Sequence, residues 1–82
     1  MRINIRYFAS LREAVGQSQE ELHTDAKNAG QVRDALLLRG GVYACLSRDR
    51  SVRLALNQVM VNEDALLHEN AELAFFPPVT GG

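Results

Sequence analysis

The stretch that decides the fold is Glu72-Leu73-Ala74-Phe75-Phe76-Pro77-Pro78-Val79-Thr80-Gly81-Gly82. Its first five residues form a short apolar run that is typical of a strand. The two prolines that follow cannot continue a central strand, so the strand is predicted to end at Phe76. We therefore expect a folded domain over residues 1–76 and an extended tail over residues 77–82.

The tail ends in two glycines, and these favour passage into another protein's active site. Without side chains they can enter a narrow channel and adopt backbone angles that are closed to other residues. At about 3.3 Å per residue, the tail can reach roughly 20 Å from the domain. We expect the reactive group to be the Gly82 carboxylate, once an enzyme has activated it, with an insertion segment formed by Pro77, Pro78, Val79, Thr80 and Gly81. The alternative is a frayed terminus or an expression-derived extension.

Length and composition exclude several classes of function. A chain of 82 residues makes one small domain with little interior for a deep catalytic cleft. Nine Lys and Arg against ten Asp and Glu give a net charge of −1, so neither nucleic acid nor an anionic membrane is expected as a partner. No segment resembles a signal peptide or a membrane span. We expect a cytoplasmic protein, in which the single cysteine, Cys45, is a small buried apolar side chain.

Hydrophobic periodicity predicts an α+β fold. Strands are predicted from alternation or short apolar runs at residues 2–8, 18–22, 54–56, 59–61 and 72–76. A short helical turn is expected to close at Gly16, and the second strand is expected at a sheet edge. Residues 30–39 have the spacing of the main helix, and a second short helix is expected around residues 44–46.

Polar and glycine residues mark the ends of these elements. The main helix has two candidate N-caps, Asn28 and Gly30, and Gly40-Gly41 is predicted as its left-handed C-cap. Asn57-Gln58 separates two apolar runs and predicts a two-residue hairpin turn. Leu66 and Leu67 are expected to cover one end of the core.

Alternation also assigns side chains to the two faces of the sheet. The face toward the main helix is predicted to contain Ile3, Ile5, Tyr7, Leu56, Val59, Val61, Leu73 and Phe75. Phe8, Met60 and Phe76 then point to the opposite face, where three exposed apolar side chains are typical of a protein-docking patch. The alternative is that a loop or the short helix covers them.

The domain itself contains no recognisable catalytic or metal-binding motif. His23 and His68 are isolated, without further ligands at zinc spacing, so no metal is expected. Glu20-Glu21 and Glu63-Asp64 are predicted to be solvated charges. Gly40-Gly41 follows a helix instead of opening one, which argues against a phosphate site. A domain of this kind must act through its surface or its terminus.

Four motifs carry a family resemblance: Tyr7-Phe8-Ala9, Leu11-Arg12-Glu13, Leu56-Asn57-Gln58 and, most specifically, Ala74 through Gly82. They resemble the MoaD family, the small sulfur-carrier subunits of molybdopterin synthase, and together span nearly the whole chain. This resemblance implies a ubiquitin-like β-grasp fold, a mixed sheet packed on one main helix. The chain departs from the family pattern at Gln31, where Thr is frequent, and at residues 69–72, where a Gly-containing turn is usual.

The resemblance also implies a reaction and its partners. A MoeB-type enzyme would use ATP to adenylate the Gly82 carboxylate, and a sulfur donor would convert it to a thiocarboxylate. The tail would then insert into the large subunit of molybdopterin synthase, in a heterotetramer, and give its sulfur to cyclic pyranopterin monophosphate. The chain would be no enzyme on its own and would bind no cofactor.

Three other functions use the same features. A ubiquitin-like modifier would join activated Gly82 to a lysine of another protein. A thiamine-type sulfur carrier would share the activation chemistry and differ in the acceptor. A non-catalytic β-grasp interaction module would act only through Phe8, Met60 and Phe76.

Overall fold

The structure is a computed structural model that describes residues 1–78. The predictions for Val79, Thr80, Gly81 and Gly82 lie outside the described residues. The elements are β1 (Arg2–Tyr7), α1 (Ala9–Val15), β2 (Gln19–His23), α2 (Ala29–Leu37), a 3₁₀ helix (Gly41–Leu46), β3 (Arg53–Leu56), β4 (Val59–Val61) and β5 (Glu72–Phe76). No helix within residues 1–78 is long and apolar enough to cross a membrane.

The five strands form one mixed sheet in the order β2-β1-β5-β3-β4. β5 lies at the centre, parallel to β1 and antiparallel to β3. Its position follows from its composition, because Leu73, Ala74 and Phe75 are apolar on consecutive positions and are all buried. β2 is an antiparallel edge strand, as the sequence predicts. The predicted α+β mixed sheet with one main helix is confirmed.

The core lies between the sheet and α2. Val32 and Leu36 of α2 are fully buried, and the sheet contributes Ile3, Ile5, Tyr7, Leu73 and Phe75. Val59 shares the helix-facing side with its pairing partner Leu56, as alternation predicts. It is nevertheless 64% exposed, because it lies on the outermost strand, at the hairpin end.

A side-chain cap marks the start of α2, and a residue in right-handed conformation marks its end. Asn28, one of the two candidates, is the N-cap, and its side chain accepts a 2.8 Å hydrogen bond from the Gln31 N–H. The C-cap is Leu38 in right-handed conformation, so the prediction that Gly40-Gly41 caps the helix is wrong. Both glycines have positive φ, 69° and 56°, and lead into the 3₁₀ helix.

Two turns require positive φ in residues other than glycine. Asn57 and Gln58 have φ of 50° and 70° and form the predicted hairpin turn between β3 and β4. Asn70, just before β5, has φ of 65°. It supplies the left-handed residue where the family pattern has a glycine-containing turn, because Asn tolerates this region better than most residues.

The connection after α2 closes the other side of the core. The expected short helix is the 3₁₀ helix, whose Leu46 is fully buried. Cys45 is half-buried and packs against the core, and burial raises the pKa of its thiol. Of the two leucines expected to cover the core, Leu67 packs against it, whereas Leu66 is 74% exposed.

Candidate docking face and the base of the tail

The base of the tail is held by the central strand of the sheet. β5 is paired on both sides: Phe75 pairs with Tyr7 of β1, and Phe76, its last residue, pairs with Arg53 of β3. Pro77 is half-buried and Pro78 is exposed. The structure therefore places the start of the tail at a fixed point, where the chain leaves the sheet.

Two aromatic rings meet at this point. Phe8 follows β1 in extended conformation, and its ring stacks on that of Phe76 with centroids 4.5 Å apart and planes 7° from parallel. The Arg6 guanidinium carbon lies 5.3 Å from the centroid of the Phe8 ring, which is cation–π distance. Both rings are half-buried. The pair forms an apolar platform beside the tail.

Strand register places Met60 on the same face of the sheet as this platform. Met60 pairs with Ala55, and Ala55 pairs with Ala74, so the three lie in one row across β4, β3 and β5. The two alanines are small and buried, whereas 55% of Met60 is exposed. The row therefore runs from Met60 to the strand that carries Phe76.

We call this surface the docking face. It consists of the predicted residues Phe8, Met60 and Phe76 together with Arg6, Arg53, Ala55 and Ala74. The structure brings Phe8 and Phe76 into contact and places Met60 two strands away from Phe76. Docking itself stays a prediction. The two arginines are not among the predicted docking residues, although period-2 alternation from Phe8 assigns Arg6 to the same face.

Glu20 was predicted to be a solvated charge, and this is wrong. Its side chain is only 13% exposed and accepts hydrogen bonds from the hydroxyls of Tyr7 (2.8 Å) and Tyr43 (2.9 Å). It also pairs with Arg39 at 2.7 Å and accepts from Gln17 at 2.9 Å. This carboxylate fastens β2 to β1, to the 3₁₀ helix and to the segment after α2.

Electrostatics around Glu20 explain its protonation state. Burial alone would raise the pKa of this carboxyl, but the hydrogen bonds from Arg39, Tyr7 and Tyr43 outweigh that effect and lower the pKa. Burial and the Glu20 carboxylate raise the pKa of the Tyr7 hydroxyl. Glu20 is therefore the charged acceptor and Tyr7 the neutral donor of a hydrogen bond that stabilises the fold.

Glu63 is also part of an ion-pair cluster, contrary to the prediction of a solvated charge. It pairs with Arg33 at 3.3 Å and with Arg48. Arg33 is 4% exposed, and its Nε donates a 2.6 Å hydrogen bond to the carbonyl of Leu46 at the end of the 3₁₀ helix. The cluster therefore fastens the 3₁₀ helix and the loop at Glu63 to α2.

Metal-binding chemistry is not found in the described part of the chain. Among residues 1–78, no three His, Cys, Asp or Glu side chains are grouped so as to hold a metal ion. His23 and His68 are both exposed.

Comparison with known proteins identifies the family. Residues 5–82 match the model of the ThiS family, and the chain belongs to this family. Two relatives are named molybdopterin synthase sulfur carrier subunit. The one from Haemophilus influenzae is 34% identical and the one from Escherichia coli 35% identical, each over 80 residues that cover 98% of this chain and 99% of the relative. The resemblance to the small subunit of molybdopterin synthase is confirmed.

Solved structures confirm the ubiquitin-like β-grasp fold. SAMP1 from Haloferax volcanii superposes with a TM-score of 0.80 at 26% identity, covering 100% of both chains. A complex of subunits 1 and 2 of the molybdopterin-converting factor from Helicobacter pylori contains a chain with a TM-score of 0.71 at 19% identity, again covering 100% of both chains. At 19% identity this likeness shows the fold alone.

Proposed function

We propose that this protein is the sulfur-carrier subunit of a molybdopterin synthase, and that Gly82 carries the sulfur. The observation that supports this most strongly is the whole-length similarity to two sulfur carrier subunits of that synthase. The fold adds a physical reason, since the tail begins at the central strand of the sheet and beside an apolar face.

The proposed loading reaction has two steps. A MoeB-type enzyme joins the Gly82 carboxylate to the adenylyl group of ATP, and pyrophosphate leaves. A sulfur donor then displaces AMP, so that a C–S bond replaces the C–O bond of the mixed anhydride and a thiocarboxylate remains. The chain supplies the carboxylate and its delivery, while ATP stays with the activating partner.

The proposed transfer reaction takes place in the large subunit of the synthase. The docking face binds the large subunit, and residues 77–82 enter its active site with the thiocarboxylate. The thiocarboxylate sulfur forms a C–S bond to cyclic pyranopterin monophosphate as an oxygen group leaves that carbon. Water then cleaves the bond between this sulfur and the Gly82 carbonyl carbon, and the Gly82 end returns to a carboxylate. Because a dithiolene contains two sulfurs, two loaded small subunits act in succession, which fits a heterotetramer with two copies of each chain.

In this account the domain positions the sulfur and does not catalyse the transfer. We expect chemically thiocarboxylated protein to convert the pyranopterin precursor only when the large subunit is present. Efficient turnover by the loaded small subunit alone would show that the domain has its own catalytic groups. It would contradict the proposal that the domain only carries the sulfur.

The test of the carrier function is the intact mass of the protein purified from its native cell. A mass increase equal to replacement of one oxygen by one sulfur, located on the Gly82 fragment, is the expected result. Deletion of the activating enzyme from the host should abolish the increase. A protein that never carries this modification, even with the activating enzyme overproduced, would contradict the proposal.

A second candidate, a ubiquitin-like modifier, is supported by the similarity to the small archaeal modifier protein SAMP1. Activation of Gly82 would be the same, but a lysine amine would displace AMP and form an amide bond. The same mass measurement separates the two functions. Conjugates of higher mass, linked through Gly82 to other proteins, would favour the modifier.

A further inference from the structure

The docking face carries two arginines, one next to each ring of the aromatic pair. Arg6 lies over Phe8, and Arg53 is the pairing neighbour of Phe76 on β3. Their positions on the sheet place one positive charge on either side of the stacked rings. The opposite end of the same sheet face is different, because there Arg2 pairs with Glu21.

Neither arginine is neutralised well within the described part of the chain. Arg53 is exposed and forms no salt bridge with any of residues 1–78. Arg6 approaches Glu72 at 3.7 Å, a long contact between two partly exposed side chains, which contributes little. By comparison, Arg33, Arg39 and Arg48 all have shorter ion pairs.

Arg6 also has an unsatisfied donor. Its Nε atom is buried and has no hydrogen-bond partner among residues 1–78. Among residues 1–78, no other buried side-chain nitrogen or oxygen lacks a hydrogen-bond partner. A buried donor without an acceptor is costly and uncommon in native structures, so the described residues alone do not satisfy the hydrogen-bonding capacity of Arg6.

We propose that Arg6 and Arg53 are the specificity-determining residues of the docking face. They select a partner surface that has an apolar recess for Phe8 and Phe76 and carboxylates on both sides of this recess. The proposal rests on the proposed function, in which this face binds the large subunit of the synthase. It adds the chemistry by which the large subunit is recognised.

Charge at the rim of an interface acts mainly on association. Complementary charges steer the encounter and exclude surfaces of the wrong sign, whereas the buried apolar contacts hold the complex together. We therefore assign different roles to the two kinds of side chain. The aromatic pair governs the dissociation rate, and the arginines govern the association rate and its dependence on salt.

The experiment measures association and dissociation rates of the full chain with its cognate large subunit over a series of salt concentrations. The variants are Arg6→Gln, Arg53→Gln and the double variant, each with a Lys counterpart that keeps the charge. Lys27→Gln, in the exposed loop that leads into α2, is the control that removes the same charge elsewhere. Phe76→Ala reports on docking itself, and thermal unfolding verifies that every variant is folded.

We expect the double Gln variant to associate about tenfold more slowly at low salt and to show a weaker salt dependence. The Lys variants should retain most of the rate, and Lys27→Gln should match the unmodified chain. Phe76→Ala could weaken binding while the double Gln variant keeps the normal association rate and salt dependence. In that case the docking face binds the partner without help from the two arginines, and the proposal is overturned. If Phe76→Ala also binds normally, docking on this face is itself wrong.

Discussion

Removal of Glu20 should destabilise the domain far more than removal of its neighbour Glu21. In Glu20→Ala the Tyr7 hydroxyl, in a residue that is only 1% exposed, loses its hydrogen-bond partner. An unsatisfied buried donor costs about 1–3 kcal/mol, and lost hydrogen bonds from Arg39 and Tyr43 to a charged group add to this. We expect a loss of about 3 kcal/mol in the free energy of unfolding.

That loss is large on the scale of a small domain. At about 0.05–0.15 kcal/mol per residue, the whole domain is stabilised by roughly 4–12 kcal/mol. Urea unfolding followed by circular dichroism gives the free energy directly. Glu21→Ala is the matched control, because Glu21 has the same charge on the same strand but pairs with Arg2 at 3.4 Å in an exposed position. Its loss should stay within about 0.5 kcal/mol.

The pH dependence of stability gives a second measurement of the same contact. Because the folded state lowers the pKa of Glu20, the folded protein binds a proton at this site less readily than the unfolded chain. The stabilisation is complete above the unfolded pKa of about 4.3 and is lost as the pH falls through the lower folded pKa. In Glu20→Ala, the free energy of unfolding should fall less steeply as the pH is lowered through this acid range, which we call the acid limb. Equal losses for the Glu20 and Glu21 variants, with unchanged acid limbs, would refute the reasoning.

Three further predictions concern the core, a turn and the docking face. Leu36→Ala should cost about 2–5 kcal/mol in urea unfolding because Leu36 is fully buried, and a loss below about 1 kcal/mol would show that the core is loosely packed. Gln58→Gly should stabilise the fold by about 0.5–1 kcal/mol by relieving a φ of 70°, and a lower Tm would contradict this. Phe76→Ala should weaken binding of the large subunit by about 2 kcal/mol or more while destabilising the fold less than Leu36→Ala. Unchanged affinity in calorimetry would reject Phe76 as a contact.

The sequence predicted the elements that depend on local chemistry. β5 occupies the predicted residues 72–76, because two prolines end an apolar run at one clear position. The hairpin at Asn57-Gln58 follows in the same way from a short turn between two apolar runs. The assignment of Phe8 and Phe76 to one face needed only alternation.

What the sequence did not predict depends on contacts between distant residues. Glu20 accepts a hydrogen bond from Tyr43, 23 positions away, and Glu63 accepts one from Arg33, 30 positions away. No local pattern in the sequence marks such pairs. Val59 has the correct periodicity for the core, but its exposure depends on the order of strands in the sheet, which places β4 at the edge.

The position of the C-terminal carboxylate provides the most direct test of the claim that Gly82 carries the sulfur. One residue added after Gly82 moves the activatable group to another atom, and deletion of Gly82 withdraws it by about 3.3 Å. A displacement of that size is enough to disrupt reaction geometry. The control is the same residue added before Met1.

The measurement is molybdopterin formation by each purified variant with the activating enzyme, the sulfur donor and the large subunit, together with the Tm of each variant. We expect both changes at Gly82 to abolish formation and to leave the Tm almost unchanged, since they lie beyond the last strand. The control should remain active. Normal molybdopterin formation by the extended or shortened chain, without prior trimming, would contradict the claim that Gly82 carries the sulfur.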